Sequence, residues 1–182
     1  MKHLLENEPR LREHPLLVGV VHLLPLPGSP RFGGSMDAIL DGARRDAEAL
    51  RSGGCDAVIV ENFGDVPFYP RENPPETVAS MALALAAVKG NIGDLPLGVN
   101  VLRNDAAAAL GLCAATGANF VRVNVHTSAA VTDQGLLEGA AAVTLRERAR
   151  LCPDVALMVD VHVKHASPLG SESAAEAASD AF

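Results

Sequence analysis

One pattern recurs five times along this chain: a short valine- and leucine-rich run ends in polar residues, a loop follows, and a helix-length segment comes next. The runs are Leu16–Leu23 (LLVGVVHL), Asp56–Asn62 (DAVIVEN), Leu95–Leu102 (LPLGVNVL), Asn119–His126 (NFVRVNVH) and Val155–His165 (VALMVDVHVKH). The last two alternate with period two, the signature of a β-strand. Val121, Val123 and Val125 oppose Arg122, Asn124 and His126; Val159, Val161 and Val163 oppose Asp160, His162 and Lys164. Strands alternating with helices through right-handed crossovers build a parallel sheet. Two architectures satisfy that order, an open doubly wound sheet and a barrel. The first turn, HLLPLPGSPRFGG, lacks the GxGxxG spacing of a dinucleotide-binding open sheet. Polar residues close nearly every strand, and only in a barrel do all strand ends share one mouth. The expected fold is therefore α/β, of the TIM (β/α)8-barrel type, with about the first five β/α units present.

The helix boundaries are marked in the usual residue types. Ser35 is placed to cap a helix that runs to about Arg51, with Met36, Ile39, Leu40, Ala43, Ala47 and Leu50 on one face and Gly53-Gly54 as its stop. Pro75 suits the first turn of a second helix reaching about Lys89. Asp105 caps an alanine-rich third helix ending at Gly117, and Asp133 is expected to cap a fourth from about Gln134 to Leu151. A further helix begins after Ser171. Residues 1–15 read as a polar arm or short helix, and residues 16–182 as one barrel-type domain.

Composition narrows the function. The 182 residues suffice for one domain with a real core. They are 48% hydrophobic but 3% aromatic, without Trp, so that core is aliphatic, as in buried parallel sheets. A net charge of −7 argues against nucleic-acid partners and anionic membrane surfaces. Cys55, Cys113 and Cys152 form no CxxC pair and read as free thiols in a reducing compartment. The first residues, MKHLLENEPRLREHP, contain no apolar signal region, and Ala106–Ala118 is too short to span a bilayer. A soluble cytoplasmic protein without a transmembrane segment is expected. No P-loop, HExxH, zinc pair, GxSxG elbow or EF-hand loop occurs, which removes P-loop nucleotide enzymes, zincins and α/β-hydrolases.

The alternation that buries the valines turns Arg122, Asn124, Asp160, His162 and Lys164 toward the barrel lumen. His22, Glu61 and Asn100 join them from the ends of their own strands. So many polar groups are costly to bury unpaired, so they form a satisfied network or bind a ligand. Asp160 and Glu61 are candidate acid/base carboxylates or ligands of a divalent metal ion, the one cofactor considered. His22 and His162 are candidate general bases or metal ligands. Lys164 is a candidate electrostatic stabiliser or, if desolvated, a Schiff-base amine. His165 falls on the opposite face. Asn62, Asn100, Arg103, Arg122 and Asn124 are expected to hold substrate, the two guanidinium groups matching a carboxylate or phosphate. A small, polar, sugar- or nucleoside-like, phosphorylated ligand is therefore expected. The Gly33-Gly34-Ser35 turn is a weaker anion cradle. The loop Phe63–Pro70 is either a lid, an apolar plug or a contact in a homo-oligomer.

The segments VGVVHLLPLPGSP, DAVIVENFGDVPF, LGVNVLRND, FVRVNV and DVHVKHASPL together resemble the BtpA/SgcQ family, in order, from about Leu16 to Leu169. The resemblance implies a TIM-barrel-like fold. It also implies a role named after photosystem I biogenesis in one branch and an enzyme-like role in others. Two functions follow as expectations: a small-molecule enzyme working at the barrel mouth, or a biogenesis factor associating peripherally with a membrane complex. A full barrel takes ~250 residues, so the resemblance further implies a C-terminally truncated member.

Overall fold

A computed structural model describes residues 15–181. The expected N-terminal arm, residues 1–15, lies almost wholly outside the described residues. The chain order is β1 (Val18–His22), α1 (Met36–Ser52), β2 (Ala57–Glu61), α2 (Pro75–Lys89), β3 (Leu97–Asn100), α3 (Ala106–Thr116) and β4 (Phe120–Val123). It continues through β5 (Ala129–Thr132), β6 (Gly135–Glu138), α4 (Ala141–Leu151), β7 (Ala156–Val159), β8 (Ser167–Pro168) and α5 (Ala174–Asp180). Five strands form one parallel sheet in the order β1-β2-β3-β4-β7, and β6-β5-β8 form a small second sheet. The molecule is thus a mixed α/β fold built on a sequentially ordered parallel sheet.

The pleat divides that sheet into two unlike faces. On one, Val21, Val58, Val60, Val99, Val121 and Val123 pack against Ile39, Ala43 and Ala47 of α1, Met81, Leu85 and Val88 of α2, and Leu110 and Cys113 of α3. This aliphatic layer is the main core. On the other face, Val20, Ile59, Phe120, Ala156 and Met158 form a thinner apolar layer. Gly98 makes room for it: a β-carbon there would run into the Phe120 ring.

The caps are where the sequence places them. Ser35 accepts from the Ala38 amide at 3.2 Å and Asp105 from the Ala108 amide at 3.0 Å. Pro75 opens α2, and Gly117 closes α3 in the left-handed conformation, with φ +68°.

Two expectations fail. Residues 129–138 form a β-hairpin rather than the start of a fourth helix, which begins only at Ala141. Asp133 sits in the hairpin turn, where the Thr132 hydroxyl accepts from the Gln134 amide at 3.2 Å and donates to the Gly135 carbonyl at 3.0 Å. The fifth parallel strand also ends early, at Val159. Its neighbour β4 stops at Val123, paired with Val159, and the Asp160 amide makes the last cross-strand bond to the Val123 carbonyl at 3.0 Å. Without a neighbour to pair with, the chain turns away, and His162 and His165 adopt positive φ of 53° and 65°.

Candidate functional site

The sheet face away from the main core changes character at the carboxyl ends of the strands. His22 pairs in register with Glu61, and Glu61 with Asn100. Arg122 and then Asn124 rise above the Phe120 layer from β4, and Asp160 follows β7 directly. Five successive strands therefore each deliver a polar side chain to one region, because the pleat points residue i+2 the same way as residue i.

Arg122 organises the cluster. Its Nε and Nη2 donate to the two carboxylate oxygens of Asp160, each at 3.0 Å, in the bidentate geometry suited to guanidinium. Its Nη1 donates to Glu61 Oε1 at 2.8 Å. Asn100 Nδ2 donates to the same Glu61 oxygen at 3.0 Å, and Asn124 Nδ2 to Asp160 Oδ2 at 2.9 Å. The hydrogen bond and charge of Asp160, reinforced by Glu61, push the Arg122 guanidinium further up against the opposing effect of burial. Glu61 is only 4% exposed, so this compensation is what lets a carboxylate sit there. Its second oxygen, Oε2, faces His22 Nε2 at 3.6 Å. The His22 ring is half exposed and stacks on Phe63, centroids 4.3 Å apart.

Outside this cluster the loops after the strands are tied to one another by amide side chains. Asn62 Oδ1 accepts from the Leu102 amide at 2.7 Å, and its Nδ2 donates to the Leu102 carbonyl at 3.3 Å and to Asp65 Oδ2 at 3.2 Å. Asp65 Oδ1 in turn accepts from the Leu26 amide at 2.7 Å. Asn104 repeats the device one strand along, accepting from the Val125 amide at 2.8 Å and donating to its carbonyl at 2.9 Å. Each side chain mimics a strand's backbone pair where the strands have ended. Burial pushes the Asp65 carboxyl up, against the hydrogen bonds from Leu26 and Asn62 that favour its charged form.

The structure brings together six of the ten expected site residues: His22, Glu61, Asn100, Arg122, Asn124 and Asp160. Asn62 belongs to the loop ties instead, with its amide fully used. Arg103 stands apart, its Nε donating to Gln134 at 3.0 Å and its guanidinium lying 5.9 Å from the Phe68 ring centre. His162 and Lys164 do not enter the cluster. Both are exposed on the turn after β7, because the strand that would have aimed them inward ends before them. The divalent-metal expectation finds no assembled donor set. Glu61 and Asp160 direct their oxygens to Arg122, Asn100 and Asn124, and among the described residues no group of three or more His, Cys, Asp or Glu could hold a metal.

Sequence reasoning missed Asp65 and Asn104 as structural ties and Phe63 as the partner of His22. It also missed the buried His126, whose imidazole is pushed below its ordinary pKa by burial. For Asn104 a signal existed in its place one residue before a helix cap, where an asparagine tolerates the positive φ of 67° that it adopts.

A sequential parallel sheet with a buried ion network at its carboxyl ends defines an α/β protein with one polar candidate site. The model of the BtpA family matches residues 12–182, and the chain belongs to that family. It is 48% identical over 167 residues to the photosystem I biogenesis protein BtpA of Synechocystis sp., covering 92% of this chain and 58% of the relative. It is 49% identical over 154 residues to an uncharacterized protein of Thermococcus kodakarensis, covering 85% of this chain and 58% of that protein. An uncharacterized mitochondrial protein of Caenorhabditis elegans is 36% identical over 158 residues, 84% of this chain and 57% of the relative. The chain thus spans less than two thirds of the length of these curated relatives. No helix among the described residues is long and apolar enough to cross a membrane.

Proposed function

We propose that this chain forms the first five units of a (β/α) barrel whose mouth binds and transforms a small polar molecule. The observation that carries this reading is the convergence of His22, Glu61, Asn100, Arg122, Asn124 and Asp160 at the carboxyl ends of five parallel strands. That is where barrel enzymes place their chemistry. The packing of α1, α2 and α3 against one face supports a barrel wall over an open sheet, which carries helices on both faces.

Within that site His22 is the proton-transfer group. It is half exposed, its imidazole can both accept and donate a proton, and its Nε2 faces the buried Glu61 carboxylate at 3.6 Å. Glu61 and Asp160 hold Arg122 rigid, so the guanidinium presents its remaining N–H groups as fixed donors. Asn100 and Asn124 complete the wall. The test is a thermal-shift screen of this chain against sugars, phosphosugars, nucleosides, polyols and amines. The expected result is saturable stabilisation by at least one compound, abolished by His22→Ala or Glu61→Gln in a protein that still unfolds cooperatively. A screen without any such compound overturns the reading.

A second reading is a non-catalytic assembly role, and the name of the Synechocystis relative, a photosystem I biogenesis protein, is what favours it. In that role the loop carrying Phe63 and Tyr69, both exposed, would meet a partner in a membrane protein complex. Substitutions at those two positions would then break co-purification with the complex, whereas His22→Ala would leave it intact.

A further inference from the structure

Beside the ion network lies a small recess of about 40 Å³ that opens to solvent. Its wall includes Asn124 and Asp160 from the strand ends, Thr127 and Ser128 from the chain leading into the hairpin, His162 from the turn after β7, and Glu172 just ahead of α5. Asn124 is the unusual member. It is 3% exposed, its Nδ2 donates to Asp160 Oδ2 at 2.9 Å, and its Oδ1 has no hydrogen-bond partner. Turning the amide over would set a carbonyl oxygen against the Asp160 carboxylate, so the Nδ2–Asp160 bond fixes which atom is left over. Buried acceptors are nearly always satisfied, and this one, closed to solvent as it stands, belongs to a side chain that lines the recess, where a small shift would bring it to a donor from outside the chain.

The surrounding charge says which kind of donor. Asp160 and Glu61 carry two negative charges against the single positive charge of Arg122, and Glu172 adds a third negative group at the rim. Asp160 Oδ1 accepts one hydrogen bond, from Arg122 Nε, and keeps a lone pair. At the Asn124 and Asp160 end of the recess, away from Thr127, Ser128 and His162, a phosphate or carboxylate would meet a carbonyl oxygen and a carboxylate. A hydroxyl or an ammonium group would meet two acceptors. We infer that the recess receives the hydrogen-bond-donating end of the ligand, a sugar hydroxyl or a primary ammonium, and that Asn124 Oδ1 is the acceptor that selects it. The inference rests on the reading of the site as a small-molecule site and narrows its ligand away from the phosphate end that the arginines alone suggest.

The experiment follows the backbone amides of residues 124–130 and 160–163 by NMR while D-ribose, ethanolamine and inorganic phosphate are titrated separately into the full chain. The expected result is saturable shifts with ribose or ethanolamine and none with phosphate. A response to ribose alone assigns a neutral polyol, and a response to ethanolamine alone assigns an ammonium group. In Asn124→Leu, of similar size, the responding probe should bind about tenfold more weakly, the effect of losing one buried acceptor. Should that variant fail to fold, the contrast between the probes in the unsubstituted chain still decides. Stronger shifts with phosphate, no shift with any probe, or unchanged binding in a folded Asn124→Leu would each overturn the inference. A compound that binds in the broader thermal screen while these probes fail would leave the proposed function standing and this inference refuted.

Discussion

The loops leaving β2 and β4 each begin at a buried asparagine, and the two side chains do opposite things. Asn62 uses its oxygen on the Leu102 amide and its nitrogen on the Leu102 carbonyl and Asp65. Asn124 uses its nitrogen on Asp160 and leaves its buried oxygen without a partner. Both follow a valine-rich strand, and both are nearly inaccessible. What separates them is whether the amide is closed by the protein's own backbone. A closed amide is a fastening, and an amide with a buried, unmatched oxygen is an unfinished one. The same contrast runs along the carboxyl ends of the strands: the β2 and β3 side is laced by Asn62, Asp65 and Asn104, and the β4 and β7 side is held by charge around Arg122.

The sharpest way to break this comparison is Asn62→Leu. It strands the Leu102 amide and one oxygen of Asp65, while the Leu102 carbonyl keeps its bond from Asn73 Nδ2 at 3.1 Å, and should lower stability by roughly 3 kcal/mol. Urea unfolding measures it, and a loss under about 1 kcal/mol would mean that the tie is dispensable. Arg122→Met tests the charged side. It leaves Glu61 and Asp160 without their shared cation, and since Arg122 is a third exposed the loss should be about 2–3 kcal/mol, below that of a fully buried pair. Asn124→Leu should change stability by less than about 1 kcal/mol, because the charge-assisted bond to Asp160 that it loses is offset by removing an unsatisfied acceptor. A loss as large as that of Asn62→Leu would erase the distinction between the two asparagines.

The smallest effect concerns His126, at the foot of the hairpin. Burial holds its imidazole below the ordinary value of 6.5, so the folded state resists protonation. Its contribution is complete above that ordinary value and is lost as pH falls through the depressed folded value. His126→Gln should therefore flatten the decline of stability on mild acidification. Parallel melting curves at neutral and acidic pH check this, and an unchanged slope would assign the decline to other groups.

Where local chemistry decides structure, the sequence was readable. Ser35, Asp105 and Pro75 each start the helix expected of them, because capping is settled within a few residues. Four expected site residues lie outside the cluster, for reasons found elsewhere in the chain. The alternation at Asp160, His162 and Lys164 continues past the point where β4 ends, and a strand lasts only as long as its neighbour. Val163 still finds an apolar home, but in the satellite core with Val125, Ala130 and Leu137 beneath the hairpin. That hairpin was hidden because Leu136, Leu137 and Glu138 are good helix formers, and pairing across the Asp133–Gln134 turn overrides that preference. Asn62 and Arg103 have residue types suited to ligand binding, and only the position of Leu102, Phe68 and Gln134 shows them already engaged.

Phe120, lying over Gly98 between Ile59 and Ala156, has a consequence for everything above it. It is the floor of the ion network. Its ring keeps water from the underside of Glu61, Arg122 and Asp160, so the network takes its hydration from the sides that Phe120 leaves uncovered. Whatever closes over those sides removes the network's remaining solvent, and must bring polar groups of its own to replace it.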